Sequence, residues 1–132
     1  MSDKQTPFSE QQTLTVQQAI DLAVQHHNAG ELSEAENIYR QILEADPDQP
    51  QALHLLGVIA YQRGEHERAV DLIEKSLTLK PDYADAHCNL GISYKELGRL
   101  DDAASSYRRA IEIKPDYAEA HNNLGNLSLI HI

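Results

Sequence analysis

The sequence predicts an all-α chain laid out as a row of repeated helix pairs. Three observations carry that prediction. Pro47, Pro81 and Pro115 stand 34 residues apart. All six glycines fall on the same step, in two ladders: Gly30, Gly64, Gly98 and Gly57, Gly91, Gly125. Within each period, apolar residues recur at spacings of three and four, the rhythm of one helix face. Chance does not place every glycine of a chain on a common period. Self-similarity at a fixed step marks stacked supersecondary units.

The elements follow in order. Residues 1–15 form a polar segment. Residues 16–49 make the first unit, opened by Thr15 with Gln18, and its second helix by Ser33 with Glu36. Residues 50–83 make the second. There Leu53, Leu56, Ile59 and Ala60 line one helix over 50–63, and Ala69, Val70, Ile73 and Leu77 line another over 66–79. Gly64 lies between them, where a left-handed backbone ends the first helix at little steric cost. Pro81 cannot continue the second. Residues 84–117 repeat the plan, and 118–132 begin a fourth unit with its first helix only. Asp48 with Gln51, Asp82 with Asp85 and Asp116 with Glu119 have the spacing of helix-start caps. Gly57, Gly91 and Gly125 fall mid-helix, where glycine costs about 1 kcal/mol relative to alanine. Close approach of a paired helix offsets that cost. Ala23, Ala35, Ala69, Ala103 and Ala110 serve the same contacts.

Here the chain resembles the tetratricopeptide repeat family, whose pattern is W-x2-L-G-x2-Y, A-x3-F, P. The third unit reads His87-x2-Leu90-Gly91-x2-Tyr94, Ala103-x3-Tyr107, Pro115. The second reads Leu53-x2-Leu56-Gly57-x2-Ala60, Ala69-x3-Ile73, Pro81. The first is looser, and the fourth starts with His121-x2-Leu124-Gly125. The resemblance covers Val16 to Ile132. It implies a right-handed α-α superhelical solenoid, with the first helices of the pairs lining a concave groove.

Composition bounds the function. Twenty-one acids against eleven bases leave a formal charge of −10. Residues 1–49 hold nine acids and two bases; residues 50–132 hold twelve and nine. Phosphate tracking needs clustered Lys and Arg, so no nucleic-acid partner is expected. The longest mostly apolar run, 52–61, is far short of the roughly 20 residues that span a bilayer. Cys88 is the single cysteine, so no internal disulfide can form. No apolar leader opens the chain, and a cytoplasmic location is expected.

No catalytic or metal motif stands out, and neither cofactor nor catalytic residue is expected. His87 and His121 lie one repeat apart, about two helix-packing steps of 8–10 Å, too far to share a metal. Both occupy the tryptophan position of the pattern and are expected to pack. Cys88 has no evident base and is expected to be structural. His54 and His66 show no ligand set around them. Tyr83 and Tyr117 are expected to pack at the turns.

The resemblance makes Leu55, Val58, Tyr61, Asn89, Ile92, Lys95, Asn122, Asn123 and Asn126 the peptide-binding candidates, together with Glu96. Asn89 and Asn123 match the asparagine ladder of the O-linked N-acetylglucosamine transferases, whose amides pair with an extended peptide backbone. Leu55 and Asp21 break that ladder in the earlier units. A carboxylate clamp of Lys and Arg is absent; Lys95 is the single base there. A non-catalytic scaffold for a peptide or partner helix is therefore expected. The alternatives are the substrate-recognition array of a larger glycosyltransferase and a structural adaptor. Leu127, Leu129, Ile130 and Ile132 are unusually apolar for a terminal helix, which predicts either a fragment of a longer chain or self-association through that helix.

Overall fold

The computed structural model describes residues 14–128. Most of the polar leader, and the apolar ending at Leu129, Ile130 and Ile132, fall outside them. Among the described residues the chain forms seven α-helices and no strand: α1 (Val16–Asn28), α2 (Leu32–Ala45), α3 (Pro50–Gln62), α4 (His66–Leu79), α5 (Ala84–Glu96), α6 (Leu100–Ile113) and α7 (Ala118–Ser128). They divide between two compact units, residues 1–47 and 48–132.

The first unit is one helix hairpin. Ile20 and Ala23 of α1 are buried, as are Ala35, Ile38, Tyr39 and Ile42 of α2. The second unit stacks two hairpins and a last helix. α3 pairs with α4 and α5 with α6; α4 then packs on α5, and α6 on α7. The first helices also touch in sequence, α3 with α5 and α5 with α7. The core of this unit runs through Val70, Ile73, Leu90, Tyr94, Tyr107 and Leu127.

The turns follow from the glycine ladder. Gly30, Gly64 and Gly98 adopt φ of 83°, 82° and 78°. Each closes the same double bond. Behind α5, for example, Arg99 N–H donates to Tyr94 C=O and Gly98 N–H to Lys95 C=O, both at 2.9 Å. That pairing satisfies two of the carbonyls a helix end leaves orphaned. The second helices stop differently. Asp46, Lys80 and Lys114 are extended, with ψ of 90°, 82° and 88°. Each precedes a proline, whose ring excludes the helical conformation from the residue before it.

The helix starts differ from the sequence expectation at all but one place. Thr15 and Gln18 do form a reciprocal capping box, with Gln18 N–H donating to Thr15 Oγ1 at 3.0 Å and Thr15 N–H to Gln18 Oε1 at 2.9 Å. The capping residues of α3 and α5 are Gln49 and Tyr83, not Asp48 and Asp82, and neither uses its side chain. α2 is entered from Glu31, so Ser33 lies inside it. The reason is visible after α6. There Tyr117 N–H donates to Lys114 C=O at 3.0 Å, so Pro115 and Asp116 occupy the middle of a turn before the helix begins. Proline favours that position and aspartate tolerates its partner.

The mid-helix glycines are notches. A Cβ on Gly91 would lie 2.6 Å from Tyr107 Cε1, and one on Gly57 would lie 2.7 Å from Ile73 Cγ1. Ala69 and Ala103, opposite on α4 and α6, are wholly buried. Gly125 departs from the expected close approach: nothing lies within 4 Å of its added Cβ.

The two notches predict opposite outcomes for one substitution. Gly91→Ala should lower stability by about 1–3 kcal/mol through overpacking against Tyr107. Gly125→Ala should raise it by about 0.5–1 kcal/mol, because alanine is the better helix former where space is open. Urea unfolding of the two variants beside the parent checks the pair; equal shifts would mean that the notch at Gly91 does no packing.

Candidate functional site

α3, α5 and α7 lie side by side in the second unit, so their outward faces form one surface. A depression of about 190 Å³ opens on it. Tyr61, Ile92 and Tyr107 supply its apolar walls. Lys95 and Glu96 of α5, and Glu119, Asn123 and Asn126 of α7, supply its polar rim. Helix periodicity explains the grouping. Ile92 and Glu96 are four apart, Glu119 and Asn123 four, and Asn123 and Asn126 three, so each set shares one face.

Six of the residues picked from sequence meet here: Tyr61, Ile92, Lys95, Glu96, Asn123 and Asn126. Leu55 and Val58 are half-buried on α3 outside the depression, and Asn122 is exposed on α7 outside it. Glu119 and Tyr107 were not singled out for the groove. Glu119 reads as a helix-start acid in the sequence. Tyr107 belongs to a second helix, yet its buried ring lies against Gly91 and lines the depression from below.

Asn89 has a partner that the sequence did not reveal. Its Nδ2 lies 2.8 Å from Nε2 of His54, and the Tyr83 hydroxyl lies 3.0 Å from the other ring nitrogen. The His54 and Tyr83 rings meet edge to face at 4.8 Å. The Asn89 amide donates, so Nε2 accepts and Nδ1 carries the proton toward the tyrosine oxygen. His54 is only 3% exposed. Burial lowers its pKa from 6.5 to about 4, against a weaker pull upward from Asp85. The imidazole is neutral at pH 7. The cluster recurs one repeat on, where Cys88, Tyr117 and Asn123 take the places of His54, Tyr83 and Asn89. Tyr117 and Asn123 both lie close enough to bear on the Cys88 thiol. The Cys88 thiol is fully buried, and burial, with Glu119 second, pushes its pKa up to about 11. A thiol so protonated is a poor nucleophile. The signal in the sequence was the 34-residue step itself, which links 54 to 88, 83 to 117 and 89 to 123.

The remaining polar groups knit the stack. Tyr117 donates to Asp85 Oδ1 at 2.7 Å, and the Tyr94 hydroxyl donates to Glu74. Lys80 and Lys114 sit 4.9 and 4.8 Å over the rings of Tyr83 and Tyr117. His87 and His121 each meet the carbonyl of the preceding linker proline, Pro81 and Pro115, at 2.8 Å. His87 is half-buried there, but His121 is exposed, so its expected packing role is reduced to that hydrogen bond. Among the described residues no group of His, Cys, Asp and Glu could hold a metal, and no helix is long and apolar enough to cross a membrane.

Comparison with known proteins places the chain among repeat proteins. Models described as tetratricopeptide repeat match residues 20–84 and 72–104, and one described as TPR repeat matches 93–128. No curated protein matches in sequence. An O-GlcNAc transferase variant from Thermobaculum terrenum is 28% identical with a TM-score of 0.83; the match covers 85% of this chain and 22% of that one. MamA is 24% identical with a TM-score of 0.81, covering 94% of this chain and 71% of that one. The first TPR of Spaghetti, solved with an HSP90 peptide, is 22% identical with a TM-score of 0.82, covering 86% and 90%. The last two show the shared fold, an all-α solenoid of helix pairs. This chain spans about a fifth of the transferase.

The His54 cluster predicts a pH dependence. Unfolded, His54 takes up its proton near pH 6.5; folded, only near 4. The unfolded state therefore binds the proton first as pH falls. The stabilising contribution is complete above about 6.5 and is lost as pH falls toward 4, on the order of 3 kcal/mol in all. Urea midpoints at pH 7 and 4.5 should differ, and His54→Gln should shrink the difference. A smaller part would persist through His87, whose pKa burial lowers too. An unchanged difference in the variant would contradict the assignment to His54.

Proposed function

The chain belongs to the tetratricopeptide repeat family, and on that premise we propose that it is a protein-interaction scaffold holding an extended peptide or a partner helix along α3, α5 and α7. The observation that carries this reading is the depression between those helices, with apolar walls at Tyr61 and Ile92 and amides at Asn123 and Asn126. An asparagine side chain has donors and an acceptor, so it can pair with a peptide backbone whatever the sequence. Each neutral hydrogen bond adds about 0.5–1.5 kcal/mol net, so a few of them with modest apolar contact hold a partner reversibly. No bond is made or broken in this reading, no cofactor is required, and the acidic surface disfavours nucleic acid. A cytoplasmic setting and pairing of two copies through α7 belong to the same proposal.

A second reading is favoured by the 28% identity to the O-GlcNAc transferase. The chain would then be the substrate-recognition array of a larger glycosyltransferase, with catalysis in a separate domain. Repeats do not determine the chemistry attached to them. The gene beyond Ile132 separates the two: a nucleotide-sugar-binding domain supports the transferase, and a stop codon removes it.

The groove itself is tested by selecting binders from a displayed library of random 12-residue peptides. Asn123→Ala with Asn126→Ala should weaken a selected peptide about tenfold or more, with helical content and urea midpoint preserved. NMR shift changes on adding the peptide should cluster on α5 and α7. Changes confined to α2 or to the outer face of α6 would remove the groove from the account.

A further inference from the structure

We propose that the N-terminal leader folds back on its own first unit and that Phe8 fills an apolar cleft between the start of α1 and the second half of α2. The inference goes beyond the surface along α3, α5 and α7 and does not depend on it. Phe8 is the single phenylalanine of the chain.

The cleft has a volume of about 260 Å³ and lies wholly within the first unit. Leu14, Val16 and Ala19 form one wall, and Ile38, Ile42 and Ala45 the other. None of the described residues lining it carries a charge. Val16 is 37% exposed, one of two large apolar side chains so exposed among the described residues. The 34-residue step shows why the space is open. Ala19 stands where the repeat pattern has its tryptophan, and where the next two units have Leu53 and His87. Leu53 is buried and His87 half-buried. In the first unit that position carries only a methyl group, so the bulk that the plan calls for is missing. An apolar cavity of about 150 Å³ takes up benzene, and this larger space therefore holds a phenyl ring.

The leader is the occupant because of where it joins and what it contains. It meets the helix at Leu14 and Thr15, which themselves line the cleft. The step from Phe8 to Leu14 is six residues, a reach of at most about 20 Å. Packed helices lie about 8–10 Å apart, so the ring can reach either wall. Residues 5–13 read QTPFSEQQT, in which Pro7 and Phe8 are the apolar pair. A phenyl ring takes about 150–250 Å² out of water when buried. A tether this short also supplies the ring at a millimolar effective concentration, which a second copy or a foreign helix has to overcome.

The test labels the full chain with a fluorinated phenylalanine, which gives one fluorine NMR signal. Its shift should differ from that of a free peptide of residues 1–13 and should not change on dilution. Phe8→Ala should move the methyl signals of Ile38 and Ile42 and speed amide exchange in α1 about tenfold. Ala19→Trp supplies the ring from inside the unit. It should return the fluorine signal to the position of the peptide, and adding Phe8→Ala to it should then cost nothing more. A fluorine signal that matches the peptide in the parent chain, or Phe8→Ala without effect on α1 and α2, would overturn the proposal. So would a signal indifferent to Ala19→Trp, which places the ring elsewhere, or a shift that vanishes on dilution, which assigns the cleft to a second copy.

Discussion

The structure depends on the incompleteness of the helix pair. A hairpin such as α5 and α6 has more apolar surface than its own interface can bury. Tyr94 and Leu90 of α5 are covered in the same core as Val70 and Ile73 of α4, and Leu127 of α7 joins them. Burying a large apolar side chain stabilises by about 1.5–3 kcal/mol, so the neighbour, not the pair, decides whether the pair is stable. The glycine notches make this tight stacking feasible. With no Cβ at Gly91, the Tyr107 ring lies against the α5 backbone and lines the depression.

That last contact joins stability to recognition. The residue that fills the notch also forms one wall of the depression, so the packing unit positions the candidate binding surface. The polar clusters add to it. The His54–Asn89 bond ties α5 to the first helix before it. That cross-helix bond helps fix the spacing of α3 and α5, and a neutral His54 is part of that fixing. The Asn89 amide is thereby committed to its own protein, whereas Asn126 has no such tie shown. The two ends of the asparagine series thus have different work.

Much of this was legible in the sequence, because repetition averages away chance. The helix pairs, the turn glycines with positive φ and the stop before each proline all follow from residues that recur at 34. Gly57 and Gly91 were legible as notches, but Gly125 was not distinguishable from them, since its openness depends on what lies beside it. The helix starts were misplaced because Asp48, Asp82 and Asp116 look like caps and serve instead in the linking turn. Most of the site was legible from positions on α3, α5 and α7, among them Tyr61, Ile92, Glu96 and Asn123. Tyr107, Glu119 and the His54–Asn89 bond were not, because they arise where separate helices meet, 29 to 35 residues apart or across a notch, and no local pattern records such meetings.

Native-state hydrogen exchange tests the central claim most directly. If neighbours supply the burial, amides of α5 and α6, which are covered on both sides, should be the slowest to exchange in residues 48–132, and those of α7 should be the fastest to open. Protection graded by position in the stack is the predicted result. Amides of α7 as slow as those of α5, opening together with them, would show that each pair is stable by itself and would contradict the account.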